Sequence, residues 1–298
     1  MNWRRLKVFA IVALLVLDVL FLCMILDRNR SATHYDEDVT RNALMLLREG
    51  GLTADARFLT GKIPSSYVLS GDMVAGESAL KETLSARGYL TQSAANGIRC
   101  FGLYDELFFG SAFSFTYSYL HGEENPSYLL IEGSYMDVTG ERYAESAWQG
   151  VQKFLREKAL LPEATERYSY EIVCDAIYVE KENYIVRMVQ TIDGARIEAE
   201  ALFLVRDGIV RSAEGTLITC LPEEALKAEN VGLLEILFSE KEALEDGAEK
   251  TVSDIVYSFA PYFDAQRHFY LVPLCTVVYE DGTESTYNFI SGKIFSGT

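Results

Sequence analysis

The side chains best able to do chemistry in this 298-residue chain are few and scattered. Its three histidines, His34, His121 and His268, lie far apart, and none has a second His or Cys at metal-ligand spacing. No Gly-rich phosphate loop, nucleophile elbow or HExxH helix occurs. The acidic run SEKEALED, Ser239 to Asp246, lacks the alternating oxygen ligands and central glycine of a calcium loop, so it reads as a solvated helix face. Cys100, Cys174, Cys220 and Cys275 permit three disulfide pairings, but no CxxC spacing occurs. Three of these four fall in β-patterned runs, where a buried free thiol is the commoner outcome. Catalytic, cofactor and metal roles are therefore assigned to no residue, and the expected protein is not an enzyme.

One ionisable group is conspicuous by position. VFAIVALLVLDVLFLCMIL, Val8 to Leu26, carries a single charge, Asp18, near its middle. Nineteen helical residues at about 1.5 Å each span roughly 28 Å, close to the hydrocarbon thickness of a bilayer. A signal peptide has an apolar core of about 7 to 15 residues and small residues at its cleavage site, whereas this run ends CMILDRNR, which points to a retained anchor. Leu22 stands where a lipobox before Cys23 would need a small residue. Arg4, Arg5 and Lys7 before the run hold the N-terminus in the cytoplasm and place the chain after about residue 30 outside.

Insertion scales charge about 2.5 to 3.5 kcal/mol for a central Asp and return about 0.3 to 0.6 for each Leu, Ile, Phe or Val. The run contains fourteen of those residues, so insertion stays favourable. Asp18, flanked by Leu14, Leu15, Phe21 and Leu22, is then a candidate contact with another transmembrane helix. The plainer alternative is a protonated or snorkelling side chain tolerated in a single-pass anchor. Beyond residue 30 the chain holds 22 basic against 42 acidic residues. That surface repels nucleic acid and anionic headgroups. With 49% apolar and 12% aromatic residues, the chain must fold rather than stay disordered.

The elements that must position any site follow from periodicity. DEDVTRNALMLLREGG reads as a helix with Leu44, Met45 and Leu47 along its apolar stripe, and SALKETLSARG as a second. IRCFGL, ELFFGSAFSFTYSYL and SYLLIEGSY read as strands, closing a first α+β module over residues 31–137. A second module, 138–298, opens with the helix ERYAESAWQGVQKFLREKALLP. Four strands follow, Tyr168 to Tyr178, Asn183 to Ile192, Arg196 to Arg206 and Ile209 to Ile218. Asp193-Gly194 and Asp207-Gly208 supply tight hairpin turns between them. A further helix, Asn230 to Leu244, and strands at Asp254 to Ala260, Phe269 to Tyr279 and Ser285 to Ile290 partly repeat the plan. Pro273, inside one of these runs, predicts an edge or a bulge. The fold class is α+β, with helix-plus-antiparallel-sheet modules outside the membrane.

Three stretches carry a family resemblance: the start MNWRRLK followed at once by the span, NYIVRMVQTIDGARIEAEALFLVRDGIVRSAEG from Asn183 to Gly215, and FYLVPLCTVVYEDGTESTYNFISGKI from Phe269 to Ile294. They resemble the YycI branch of the YycH/YycI family, membrane-anchored accessory regulators of a cell-wall sensor kinase in Gram-positive bacteria. The last two are also similar to PepSY-type hairpin modules, whereas residues from about 36 to 137 show little that matches. The resemblance implies an extracytoplasmic domain that pairs with a YycH-like protein and tunes a sensor histidine kinase through the transmembrane helix. Two other readings compete. An extracytoplasmic peptide- or protein-binding or inhibitor module would use the span only as a tether. A hydrolase would require a deep cleft holding His121 or His268 beside a carboxylate.

Overall fold

The structure is a computed structural model and describes residues 37–60, 67–94, 96–162, 168–228, 231–245, 247–265 and 267–295. The run Val8 to Leu26, with Asp18, Leu14, Leu15, Phe21 and Leu22, lies outside the described residues, as does His34. Among the described residues no helix is long and apolar enough to cross a membrane. The chain is a mixed α+β fold around one large, branching sheet.

A helix followed by an antiparallel meander occurs three times. After α1 (Glu37–Glu49), β1 (Leu52–Thr53), α2 (Ala56–Thr60) and β2 (Tyr67–Asp72), the first repeat begins at α3 (Met73–Ala86). Asp72 starts that helix by accepting the Val74 N–H at 2.7 Å, which satisfies an otherwise orphaned donor. Then come β3 (Leu90–Ala94), β4 (Gly97–Phe101), β5 (Asp105–Gly110) and β6 (Ser114–Tyr119). A short helix α4 (Pro126–Glu132) and β7 (Met136–Asp137) lead to the second repeat, α5 (Glu145–Lys158) with β8 (Tyr170–Glu180), β9 (Asn183–Ile192), β10 (Ala195–Arg206) and β11 (Ile209–Thr216). β12 (Glu224–Lys227) precedes the third: α6 (Leu233–Ala243), β13 (Lys250–Phe263), β14 (His268–Tyr279) and β15 (Glu284–Asn288).

The last strands of the first two repeats pair with each other, β6 against β11, with Tyr117 opposite Ala213. The result is the continuous order β8-β9-β10-β11-β6-β5-β4-β3. Period-two alternation sends Ile98, Cys100, Leu107, Phe109, Phe115, Tyr117, Phe203, Val186 and Met188 to one face. There α3 adds Leu80 and Leu84, and α5 adds Ala147, Val151, Phe154 and Leu155. The Tyr117 and Phe154 rings meet edge to face at 4.5 Å. The third repeat builds its own core, in which α6 and α1 cover β13, β14 and β15.

The two parts join at β10. Its first residues pair in parallel with β13 (Arg196 with Ser258, Ile197 with Phe259), and the same edge passes to β11 from Ala201 onward. Gly215 sits at that handover with φ 129°, and a Cβ there would stand 2.3 Å from the Glu200 carbonyl oxygen, so only glycine fits. Phe113 wedges beneath the junction, edge-on to Phe269 at 5.1 Å and to Phe263 at 5.6 Å. Strands from both sides of residue 137 therefore share one sheet, β2 joining β14 as β6 joins β11.

Most expected elements are present, with informative departures. SYLLIEGSY forms α4 and its exit rather than a strand, because the Asn125 side chain caps the Tyr128 N–H at 3.0 Å and Pro126 occupies the first helical turn. Met45, expected on the apolar stripe of the first helix, is exposed. Pro273 lies on neither an edge strand nor a bulge. Its carbonyl accepts from Phe289, so its missing N–H faces the gap on β14 between Leu271, where pairing with β2 stops, and Leu274, where pairing with β15 starts. Glu240, expected on a solvated helix face, is buried, and its carboxylate accepts hydrogen bonds from the Tyr279 and Tyr287 hydroxyls. Burial, followed by Glu240 itself, raises both phenols above their ordinary range. Cys100, Cys174, Cys220 and Cys275 are free thiols, pushed up by burial to about 11 for the first two and about 12 for the others.

Candidate interaction surface

One end of the first meander gathers the start of β3, the β4–β5 turn, and the exit from β6. Its foundation is a half-hidden ionic node. Asp105, the first residue of β5, is buried. Its Oδ2 takes the Lys158 ammonium at 2.6 Å from the end of α5 and the Tyr89 hydroxyl at 2.8 Å from the link between α3 and β3. Lys158 also bonds the Tyr89 oxygen, and its ammonium lies 5.0 Å from that ring's centroid. Desolvation, reinforced by the Asp105 carboxylate, holds the Tyr89 phenol above its ordinary range, so it stays a donor. Gly102 closes the turn through its N–H to the Asp105 carbonyl at 2.8 Å, and a Cβ on it would strike the Asp105 carboxylate at 2.0 Å.

On this base stand apolar side chains turned outward. Leu103 is 84% exposed, Tyr104 58% and Leu120 54%. Turns of this kind are ordinarily polar, and single exposed apolar residues are common, but three on adjoining loops make a patch. The backbone carries strain as well. Leu120 (φ 59°), His121 (φ 46°) and Gly122 (φ 112°) are consecutive left-handed residues. For a branched side chain such as Leu that conformation costs roughly 1–2 kcal/mol. It persists because the Leu120 N–H is tied to the Tyr104 carbonyl at 2.5 Å, which joins the two loops. Leu120→Gly should therefore raise stability by about 0.5–1 kcal/mol, the relieved strain less the entropy glycine loses. A urea unfolding midpoint that falls would show that the loop is unstrained.

The rim can bury apolar area against a partner and present Tyr104 as an amphipathic anchor. Nothing in it pairs a nucleophile with a base. The histidines were the alternative. His121 Nδ1 is 3.8 Å from Glu106 Oε2, and His268 Nδ1 is 3.3 Å from Asp264 Oδ2. His121 is exposed on a turn and His268 half-exposed at the start of β14, and neither lines the two recesses beside α3 and α4. The recess of about 390 Å³ beside α3 is lined by Glu77, Lys81, Ser93 and Arg267, and the one of about 300 Å³ beside α4 by Arg99, Glu106 and Glu214. Glu77 and Arg267 form an ion pair across the first. Among the described residues no group of three or more His, Cys, Asp and Glu could hold a metal ion.

The residues suggested by sequence for partner contact, Asp18, Leu14, Leu15, Phe21 and Leu22, lie outside the described residues. Sequence reasoning missed the rim, although Leu103-Tyr104 between two strand runs was a visible signal. Of the tyrosines of FSFTYSYL, Tyr117 is core and Tyr119 packs against it.

No protein-family model matches the chain, and no curated protein matches it either. Among solved structures, an uncharacterized protein from Eubacterium rectale ATCC 33656 is similar at 11% identity, with 87% of this chain and 99% of that chain covered and a TM-score of 0.35. That likeness is too distant to bear on function.

Proposed function

We propose that this chain is a non-enzymatic, membrane-anchored regulator that acts by contact, its anchor running from Val8 to Leu26 and its α+β domain lying outside the cell. The observation that carries the reading is the exposed, strained apolar rim at Leu103, Tyr104 and Leu120, seated on the Asp105–Lys158 ion pair. An apolar patch on a strongly acidic domain suits recognition of another protein, not a nucleic acid or an anionic lipid surface. The resemblance to the YycI branch supplies the partner class: a YycH-like protein and a sensor histidine kinase. In this reading Asp18 offers a polar contact within the membrane, and Leu14, Leu15, Phe21 and Leu22 pack around it.

The rim would serve equally well in a tethered peptide- or protein-binding module, so the membrane segment decides between the two. Asp18→Leu should leave expression and the folded domain unchanged while shifting the output of the partner kinase several-fold. Unchanged kinase output would reduce the span to a tether and favour the module.

A further inference from the structure

The large sheet has exposed edges, and their sequences differ in kind. Among the described residues β3 pairs with β4 alone, so the backbone groups on its outer side have no strand partner. Free edges invite pairing with another chain, and natural sheets guard them with charge, proline, bulges or brevity. The other ends carry such guards. β7 is two residues long and includes Asp137, and β12 carries Glu224 and Lys227. β3 reads Leu-Thr-Gln-Ser-Ala: five residues with no charge, proline or register shift, in a chain where 24% of residues are charged. Its first residue, Leu90, is 63% exposed, and Gln92 and Ser93 are exposed too.

The strand is also complementary to itself. Antiparallel pairing of two copies with all five residues overlapped sets Gln92 opposite Gln92, Thr91 opposite Ser93, and Leu90 opposite Ala94. Gln amides bond each other, Thr and Ser hydroxyls pair well across strands, and Leu lies over a small apolar neighbour, with no like charges opposed. On β4, Cys100 and Ile98 place Thr91 and Ser93 on the helix-covered face, so the core side of one sheet would continue into the other. From this we infer that a second copy of this chain docks on β3, forming a two-fold dimer with one sheet running through both molecules about Gln92. This goes beyond the regulatory reading and does not depend on it. Five residues a side make a weak interface, opposed by the shared net charge of −17, so association should strengthen with added salt.

Disulfide trapping in the full chain, purified in detergent with Cys23→Ser, tests the register itself. Paired residues on adjoining strands have Cα atoms about 4.5–5.5 Å apart, within the range a disulfide spans. Under mild oxidation Gln92→Cys should link to itself at least tenfold more than Glu182→Cys, an exposed control in the β8–β9 turn. Leu90→Cys and Ala94→Cys should link to each other when mixed and not to themselves. Gln92→Cys behaving like Glu182→Cys would overturn the dimer. Leu90→Cys linking to itself as readily as to Ala94→Cys would overturn the two-fold about Gln92.

Discussion

Lys158→Met is expected to destabilise the folded domain by about 3 kcal/mol. Lys158 and Asp105 are both mostly hidden, their side chains 23% and 10% exposed, and the ammonium is the only cation at ion-pair distance from that carboxylate among the described residues. Removing one partner of such a pair leaves an uncompensated charge, which costs roughly 3–5 kcal/mol in a fully buried setting and somewhat less here. Replacing both partners, Lys158→Met with Asp105→Leu, should recover more than half of the loss, because neither charge then remains to be desolvated. Urea unfolding of the two variants measures this directly. Hydrogen exchange at Leu103 to Asp105 reports whether the rim loosens with the node. A cost below about 1 kcal/mol for Lys158→Met would mean that the node does not hold the rim.

The second large effect is on association. Leu103→Ser combined with Leu120→Ser removes two of the three exposed apolar side chains without touching the core. Binding energy concentrates in a few apolar and aromatic anchors, so co-purification of the proposed partner, a sensor kinase, should fall tenfold or more, while the melting temperature moves by only about 2 °C. Retained association would show that the rim is not the contact surface. Leu120→Gly separates the causes: it keeps Leu103 and Tyr104, relieves the backbone and should weaken association less than the double change.

The sequence carried much of the second and third repeats because their signals are local. Asp193-Gly194 and Asp207-Gly208 hold φ 50° and 78°, and 54° and 70°, the left-handed pairs that Asp-Gly turns favour, and the strands they join pair directly across them, although β10 slips register at Arg196/Glu200 and at Leu204/Val205. What stayed hidden depends on distant partners. β3 has neither the β-branched run nor the aromatic content of a strand, and it is extended because β4 pairs with it. The union of β6 with β11 joins residues about a hundred positions apart, which no periodicity can reveal. Glu240 looked like part of a solvated acidic face because the two tyrosines that receive it lie on β14 and β15. SYLLIEGSY was legible in principle: Asn125-Pro126 before it is a helix start, but its alternating apolar residues suggested a strand. The rim lay in plain view at Leu103-Tyr104, yet the left-handed geometry of Leu120 has no sequence signature, since Leu rarely adopts it.

Photocrosslinking from Leu14, Leu15, Phe21 and Leu22 in native membranes tests the regulatory reading most directly. If the anchor is a contact surface, a probe on the face shared with Asp18 should capture a second membrane protein, the sensor kinase or the YycH-like partner, and Asp18→Leu should lower that yield. Capture of lipid alone from all four positions would contradict it.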